Sequence, residues 1–312
     1  MGSERTAWLC ISKQAMVEMI KMKLALSLIV VVLLAFGSDG VAWANSSVQT
    51  GVVTPTNASG DVYALVVGIN DYYPFGAEGP DLLFPINDAR DVMRALTDVY
   101  GVPHGKKYTD TSPSGKYGNI KLLLNADATK SAILSAIGSL GATANDDVII
   151  FFSGHGTQSI GDADGDVEMM DNGFVVNGSS GRDVLWDGEL KNALTSITAN
   201  RIVVLGDFSW PSGFNDDLSQ VANIMYIAGA KGEEFEDSTI QNGVFTEKFI
   251  NLGIRSGYAD DPAQNPHATP DGKVTLEEAY DYANHVIIPR VPGAKPNIVD
   301  KLSNDVFLKT IP

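Results

Sequence analysis

The segment "DDVIIFFSGHGTQ", residues 146–158, decides the fold. Its apolar run, Val148 to Phe152, has no polar alternation. That is the pattern of a strand buried on both faces, which belongs in a parallel sheet covered by helices. The run ends in Ser-Gly-His-Gly. In open sheets of this kind the reactive groups sit beyond the carboxyl ends of the strands. Gly154 and Gly156 let the backbone approach a ligand closely and expose its N–H groups. His155 can act there as a general base, with the Gly156 N–H beside a developing oxyanion. The spacing alone equally allows a turn histidine. His104, His267 and His285 lie in loops or near a helix end, where histidines are commonly solvated.

Outward from this strand the chain alternates between two periodicities. "DVYALVVGI" (61–69), "IKLLLN" (120–125), "RIVVLGD" (201–207) and "ANIMYIAGA" (222–230) are strand-like. "NDARDVMRALTDVY" (87–100), "DATKSAILSAIGSL" (127–140), "DGELKNALTSI" (187–197), "NGVFTEKFINLGIRSG" (242–257) and "TLEEAYDYANHVI" (275–287) carry apolar residues at helical spacing. Asn87 or Asp88 is expected to cap the first helix, and Asp127 the second. Unbroken Val, Ile and Leu strands separated by helices predict an α/β fold. Its three layers are a central, mostly parallel sheet flanked by helices.

A second loop has the same design. In "IVVLGDFSWPSGFNDDL" (202–218) a buried strand ends in Gly206–Asp207, and Ser209 follows two residues later. The segments "YALVVGINDY", "NDARDVMRAL", "DDVIIFFSGHGTQ", "IVVLGDFSWPSGFNDDL", "NGVFTEKFI" and "DGKVTLEEAYDYA" occur in the order found in caspase-fold cysteine peptidases. The chain most resembles their bacterial metacaspase-like and legumain-like relatives, over roughly residues 61–310. The resemblance implies peptide-bond cleavage by a histidine and a cysteine. The cysteine belongs to an Asp-x-Cys-x-Ser-Gly segment. Carried over by position, the histidine is His155, the aspartate is Asp207 and the nucleophile position is Ser209. The family's Ser-Gly is displaced by Trp210–Pro211. The chain's one cysteine, Cys10, lies far upstream.

That replacement bears on activity. A thiol with an ordinary pKa of about 8.5 is readily converted to thiolate by a nearby histidine. An alcohol needs its proton removed during attack, by a base that a third group orients. The expectation is a catalytically impaired homologue that retains binding of basic peptides. The alternatives are an active endopeptidase using Ser209 and His155, and a non-catalytic scaffold or regulator of an active paralogue.

The resemblance also implies that acidic residues select Arg or Lys next to the scissile bond. Asp207 is the matching residue, with Asp71 as a contributor, and a carboxylate there pairs bidentately with Arg. A turn cap is the structural alternative for Asp207. No cofactor is required, but two loops are candidate Ca2+ sites. "DADGD" supplies Asp162, Asp164 and Asp166, with Asp171 close by. "HATPDGKVTLEE" (267–278) has the shape of an EF-hand loop. Only Asp271 and Glu278 there are strong ligands, because His267 and Thr269 stand where carboxylates belong.

At the other end, Lys21 and Lys23 precede "LALSLIVVVLLAF" and "AWA" (42–44), which reads as a signal peptide over residues 1–44, with Met22 a second candidate start. The apolar run is about 13 residues, shorter than the roughly 20 of a membrane span. Residues 45–60 read as a flexible lead-in and 61–312 as the peptidase-like domain. The expected location is secreted or periplasmic, with no membrane attachment after cleavage. The net charge of −16 repels nucleic acid and favours cationic ligands.

Overall fold

The computed structural model describes residues 60–306 apart from 73–80, 106–107, 180, 234, 292 and 304. The expected signal peptide and nearly all of the lead-in lie outside the described residues. Seven strands form the central sheet, in the order β12-β9-β8-β4-β1-β3-β2. They are β1 (Val62–Gly68), β2 (Gly115–Tyr117), β3 (Ile120–Leu124), β4 (Asp147–Gly154), β8 (Arg201–Phe208), β9 (Ile224–Ala228) and β12 (Asn297–Asp300). The five inner strands are parallel, and the edge strands β2 and β12 are antiparallel. Every residue of β4 and β8 is buried, the apolar runs at 148–152 and 202–205 together with the polar residues at their ends.

Successive side chains of a strand point to opposite faces, so each central strand feeds two cores. Ile149, Phe151, Val203 and Leu205 pack on one face against α1 (Pro85–Arg94), α5 (Val244–Thr246, continued by a wider helix Glu247–Arg255) and α6 (Leu276–Ile287). Val148, Ile150, Phe152, Ile202 and Val204 pack on the other against α2 (Lys130–Gly138), α3 (Asp187–Thr195) and the short α4 (Asn215–Leu218). At the sheet's amino end Arg201 grips Asp147 with two guanidinium nitrogens, both side chains buried.

Two caps differ from expectation. Helix α1 begins at Pro85, whose missing N–H suits a first helical position. Asn70 and Glu236 satisfy its start by accepting from Ile86 N–H and Phe84 N–H at 2.7 Å each. Asp88 is therefore inside the helix and buried, not at its cap. Helix α2 is capped by Thr129, whose hydroxyl accepts from Ala132 N–H at 3.2 Å, rather than by Asp127. A separate three-stranded sheet, β5 (Gly156–Ile160), β6 (Met170–Asn177) and β7 (Arg182–Trp186), was not legible in the sequence. Among the described residues no helix is long and apolar enough to cross a membrane.

Candidate active site

Strands β4 and β8 are parallel neighbours with Ser153 opposite Asp207 and Gly154 opposite Phe208. His155 and Ser209 follow immediately, so the sheet register brings the two loops singled out in the sequence side by side. Their backbones touch. A side chain at Gly156 would meet the Ser209 carbonyl oxygen at 1.8 Å, so close approach is what requires glycine there. Gly154 likewise has no room, since a Cβ would lie 2.6 Å from the Tyr72 hydroxyl.

Tyr72 is a site residue that sequence reasoning passed over. Its hydroxyl accepts from His155 N–H at 2.7 Å, and its ring centroid lies 4.9 Å from that of the imidazole. The Arg182 guanidinium sits 5.3 Å from the Tyr72 ring centroid. The loop after Ser209 is pinned as well. Trp210 donates its N–H to Gly232 O at 2.6 Å, and Pro211 O accepts from the Tyr226 hydroxyl at 2.6 Å. Trp210 holds a left-handed backbone with φ +54°, which costs a non-glycine residue energy.

Asp207 does not cap the following turn. Its Oδ2 accepts from Thr246 N–H at 2.9 Å and from Thr246 Oγ1–H at 2.5 Å, while its buried Oδ1 has no hydrogen-bond partner. Asp88 reaches the same place from α1. Its Oδ1 accepts from Gly243 N–H at 2.9 Å and its Oδ2 from Ser153 Oγ–H at 2.8 Å. Gly243 lies between the two acids, and a Cβ there would meet Asp207 Oδ2 at 2.5 Å and Asp88 Oδ2 at 3.0 Å. Burial pushes the Asp88 carboxyl well above the usual range, and the neighbouring Asp207 charge adds to the shift. Burial pushes Asp207 up to about 6, with the Thr246 hydrogen bonds opposing and Glu236 reinforcing the rise. The site thus holds two buried carboxyls and one spare oxygen, and among the described residues no positive side chain is hydrogen-bonded to either acid.

Asp71, expected beside Asp207, is exposed beyond β1. Its N–H donates to Asn125 at 3.2 Å and its carbonyl accepts from Asn177 at 3.1 Å. The residues that lie beside Asp207 are Asp88 and Ser153. Asp88 was legible in principle, because it lies four residues before Val92 on the apolar face of α1. Its type made it read as a cap.

The first candidate calcium loop does gather. One oxygen each from Asp162, Asp164, Asp166 and Asp171 lie within 4.8 Å of one another. Glu168, Asp187, Asp216 and Asp217 join them in overlapping groups that the sequence did not reveal. Asp171 is fully buried, and its Oδ1 has no partner, as is true of one oxygen of Asp164, Asp166 and Asp217. Oxygen donors in that number and spacing suit a hard divalent cation. Two internal groups also answer the charge. Lys191 Nζ donates to Asp166 at 3.2 Å and Asp217 at 2.5 Å, and Asp164 accepts the Glu189 N–H at the start of α3 at 3.2 Å.

The EF-hand-shaped loop is organised differently. Glu278 accepts from Thr269 N–H at 2.8 Å and Thr275 N–H at 3.1 Å, completing a capping box for α6. Asp260, from outside the motif, accepts from Asp271 N–H and Gly272 N–H at 3.0 Å each. Asp271 and Glu278 belong to no cluster of metal-ligating groups among the described residues.

Against known proteins, the caspase-domain profile of the C14 peptidases matches residues 61–257. No curated protein matches the chain. Among solved structures, protein GSU0716 from Geobacter sulfurreducens superposes with a TM-score of 0.54 at 19% identity, covering 81% of this chain and 98% of that one. At that identity the likeness speaks for the fold alone. The profile spans well over half of the chain, from the start of β1 through the loops bearing His155 and Ser209 to the end of the α5 extension. The chain belongs to the caspase-domain peptidase family.

Proposed function

We propose that this chain is an exported caspase-type peptidase homologue that binds basic side chains in the Asp88–Asp207 pocket and turns peptides over poorly or not at all. The observation that carries this reading is the unpartnered Oδ1 of Asp207, buried beside a second carboxyl with no cation bonded to either. A buried anion with an open acceptor is completed by a guanidinium or ammonium group. His155 stands where the family's base stands, with the Gly156 N–H as the oxyanion donor. Ser209 supplies an alcohol where the family uses a thiol. The chain's only cysteine, Cys10, lies in the segment that we read as a removed signal peptide. Calcium held by Asp162, Asp164, Asp166 and Asp171 would neutralise the loop that follows His155.

The test is hydrolysis of Arg- and Lys-containing peptides by the chain and by its Ser209→Cys and Ser209→Ala variants, with and without calcium. We expect no measurable turnover from the native chain and measurable turnover from Ser209→Cys. Native turnover that vanishes in Ser209→Ala would instead establish a serine endopeptidase. A silent Ser209→Cys variant that still binds basic peptides points to a binding or regulatory role, as for a partner of an active paralogue.

A further inference from the structure

The β5–β6 hairpin carries a group of exposed apolar side chains at its far end. Ile160, Val167 and Met169 expose 95%, 88% and 91% of their area, and Met170 exposes 48%. Ile160 pairs with Met170 across the ladder, and Gly161 N–H donates to Met169 O at 2.9 Å, so these side chains share one hairpin end. Scattered exposed apolar residues are ordinary, but a group on one projecting tip marks an interaction surface. Val167 adds a second sign. It is β-branched and adopts φ +72°, a region such residues avoid. Asp162 holds the turn by accepting from the N–H groups of Gly165 and of Val167, the latter at 3.2 Å. The fold thus tolerates strain in order to present an apolar side chain to solvent.

In calcium-free buffer, the condition for the experiment below, the charges around the tip select the partner. Asp162, Asp164, Asp166 and Glu168 are interleaved with the apolar residues, and Asp216 lies against Glu168. The nearby cation, Lys191, is engaged with Asp166 and Asp217. A second copy would set acid against acid, and an anionic lipid surface would be repelled in the same way. A polypeptide that alternates cationic and apolar side chains satisfies both features. It can bind extended, because β5 is an edge strand that pairs only with β6 among the described strands, the position at which strand addition occurs.

We propose that this hairpin tip docks an extended, cationic and apolar segment of a partner protein, holding that partner beside the His155 loop, where β5 begins. The surface is distinct from the Asp207 pocket, which accommodates a single basic side chain, and it does not depend on the catalytic state of Ser209.

The probe is a short fluorescent peptide of alternating Lys and Ile, titrated with the full chain in calcium-free buffer at physiological ionic strength. Ile160→Ser combined with Met169→Ser should weaken binding by about tenfold or more, since each loses a buried apolar contact. Asp162→Asn combined with Glu168→Gln should weaken it too and flatten its salt dependence. The titration is repeated in an Asp207→Ala background, where the pocket no longer holds a lysine of the probe, and the loss caused by the Ile160 and Met169 substitutions should persist there, which separates this surface from the pocket. Both serine substitutions fall at nearly fully exposed positions, and an unchanged melting temperature verifies the fold. Equal affinity with and without the Ile160 and Met169 substitutions in the Asp207→Ala background overturns the proposal. The proposal also fails if the apolar pair instead proves to drive binding to lipid vesicles or self-association in sedimentation.

Discussion

The molecule holds two groups of crowded carboxylates, and they manage their charge in opposite ways. Around Gly243, Asp88 and Asp207 are both buried, and among the described residues no cation is bonded to either. Protonation is the internal remedy there, and both acids are pushed upward by burial. Around Gly188 the carboxylates of Asp164, Asp166 and Asp217 converge so tightly that a Cβ would meet them at 2.5, 2.6 and 3.0 Å. That group has Lys191 and the amino end of α3 to answer it. The pocket that lacks a cation is suited to take one from a ligand. The cluster that owns one is already partly neutralised. A count of acidic residues along the sequence does not separate the two cases.

The largest expected effect falls on the pocket. Asp207→Ala should weaken binding of an Arg-containing peptide by about a hundredfold, because it removes the ionised partner of a desolvated charge pair. The pH dependence follows from the raised carboxyl. A cation binds the ionised form, so below about 6 the Asp207 proton must first be displaced. Affinity should therefore be flat above neutrality and fall steadily as the pH drops through 6. Anisotropy titrations from pH 5 to 8 measure this. A flat profile would remove Asp207 from the binding site.

A smaller effect is expected at the second cluster. Lys191→Met leaves the buried Asp217 without its ammonium partner and should cost about 2 kcal/mol of stability, below the usual figure for a fully buried pair because Lys191 is partly exposed. Calcium should then raise the melting temperature of the variant more than that of the native chain, since the ion replaces the missing cation. Burial first, and neighbouring carboxylates second, hold Glu168 up to about 7 and Asp187 up to about 8. Acids raised above their unfolded values bind protons more tightly in the fold. Their contribution to stability is present at low pH and is lost as the pH rises through 7 and 8. Calcium stabilisation should grow over that same window. Equal calcium shifts at pH 5 and pH 8 would count against ion binding here.

How these regions read in the sequence depends on the kind of signal. The inner strands were legible because each is buried on both faces, so β4 and β8 consist almost wholly of apolar residues. His155 and Ser209 were legible because they sit where those strands end. The strands β2, β12, β5 and β7 are half-exposed and mixed in composition, and β6, though buried from Asp171 on, mixes Asp, Asn and Gly with its apolar residues, which leaves no clear period. The pocket's second carboxyl was hidden for a different reason. Near a helix start an aspartate reads as a cap, and only the tertiary fold shows that Asp88 points into the sheet beside Ser153. Likewise the resemblance of residues 267–278 to a calcium loop follows from the turn and the capping box, which Glu278 completes with backbone N–H groups.

The smallest expected effect is the most discriminating, because it asks which pocket acid carries the charge. Burial pushes both acids up, and the Asp207 charge adds to the rise at Asp88, so Asp88 is the expected holder of the proton when the pocket is empty. Asn resembles a neutral carboxylic acid in shape and keeps one acceptor for Gly243 N–H. Its amide can donate to the Ser153 hydroxyl oxygen in place of accepting from it, so Asp88→Asn keeps a hydrogen bond to each neighbour, with the Ser153 O–H turned to a new acceptor. Stability at pH 8 should then be unchanged or higher by about 1 kcal/mol, since a buried ionisable group has been removed. Affinity for the Arg-containing peptide should fall by less than about tenfold, well short of the loss in Asp207→Ala. If the two substitutions weaken binding equally, both carboxylates are ionised in the complex. Asp88 must then give up its proton when the peptide enters, and binding at fixed pH should release a proton that calorimetry in buffers of different ionisation enthalpy can count.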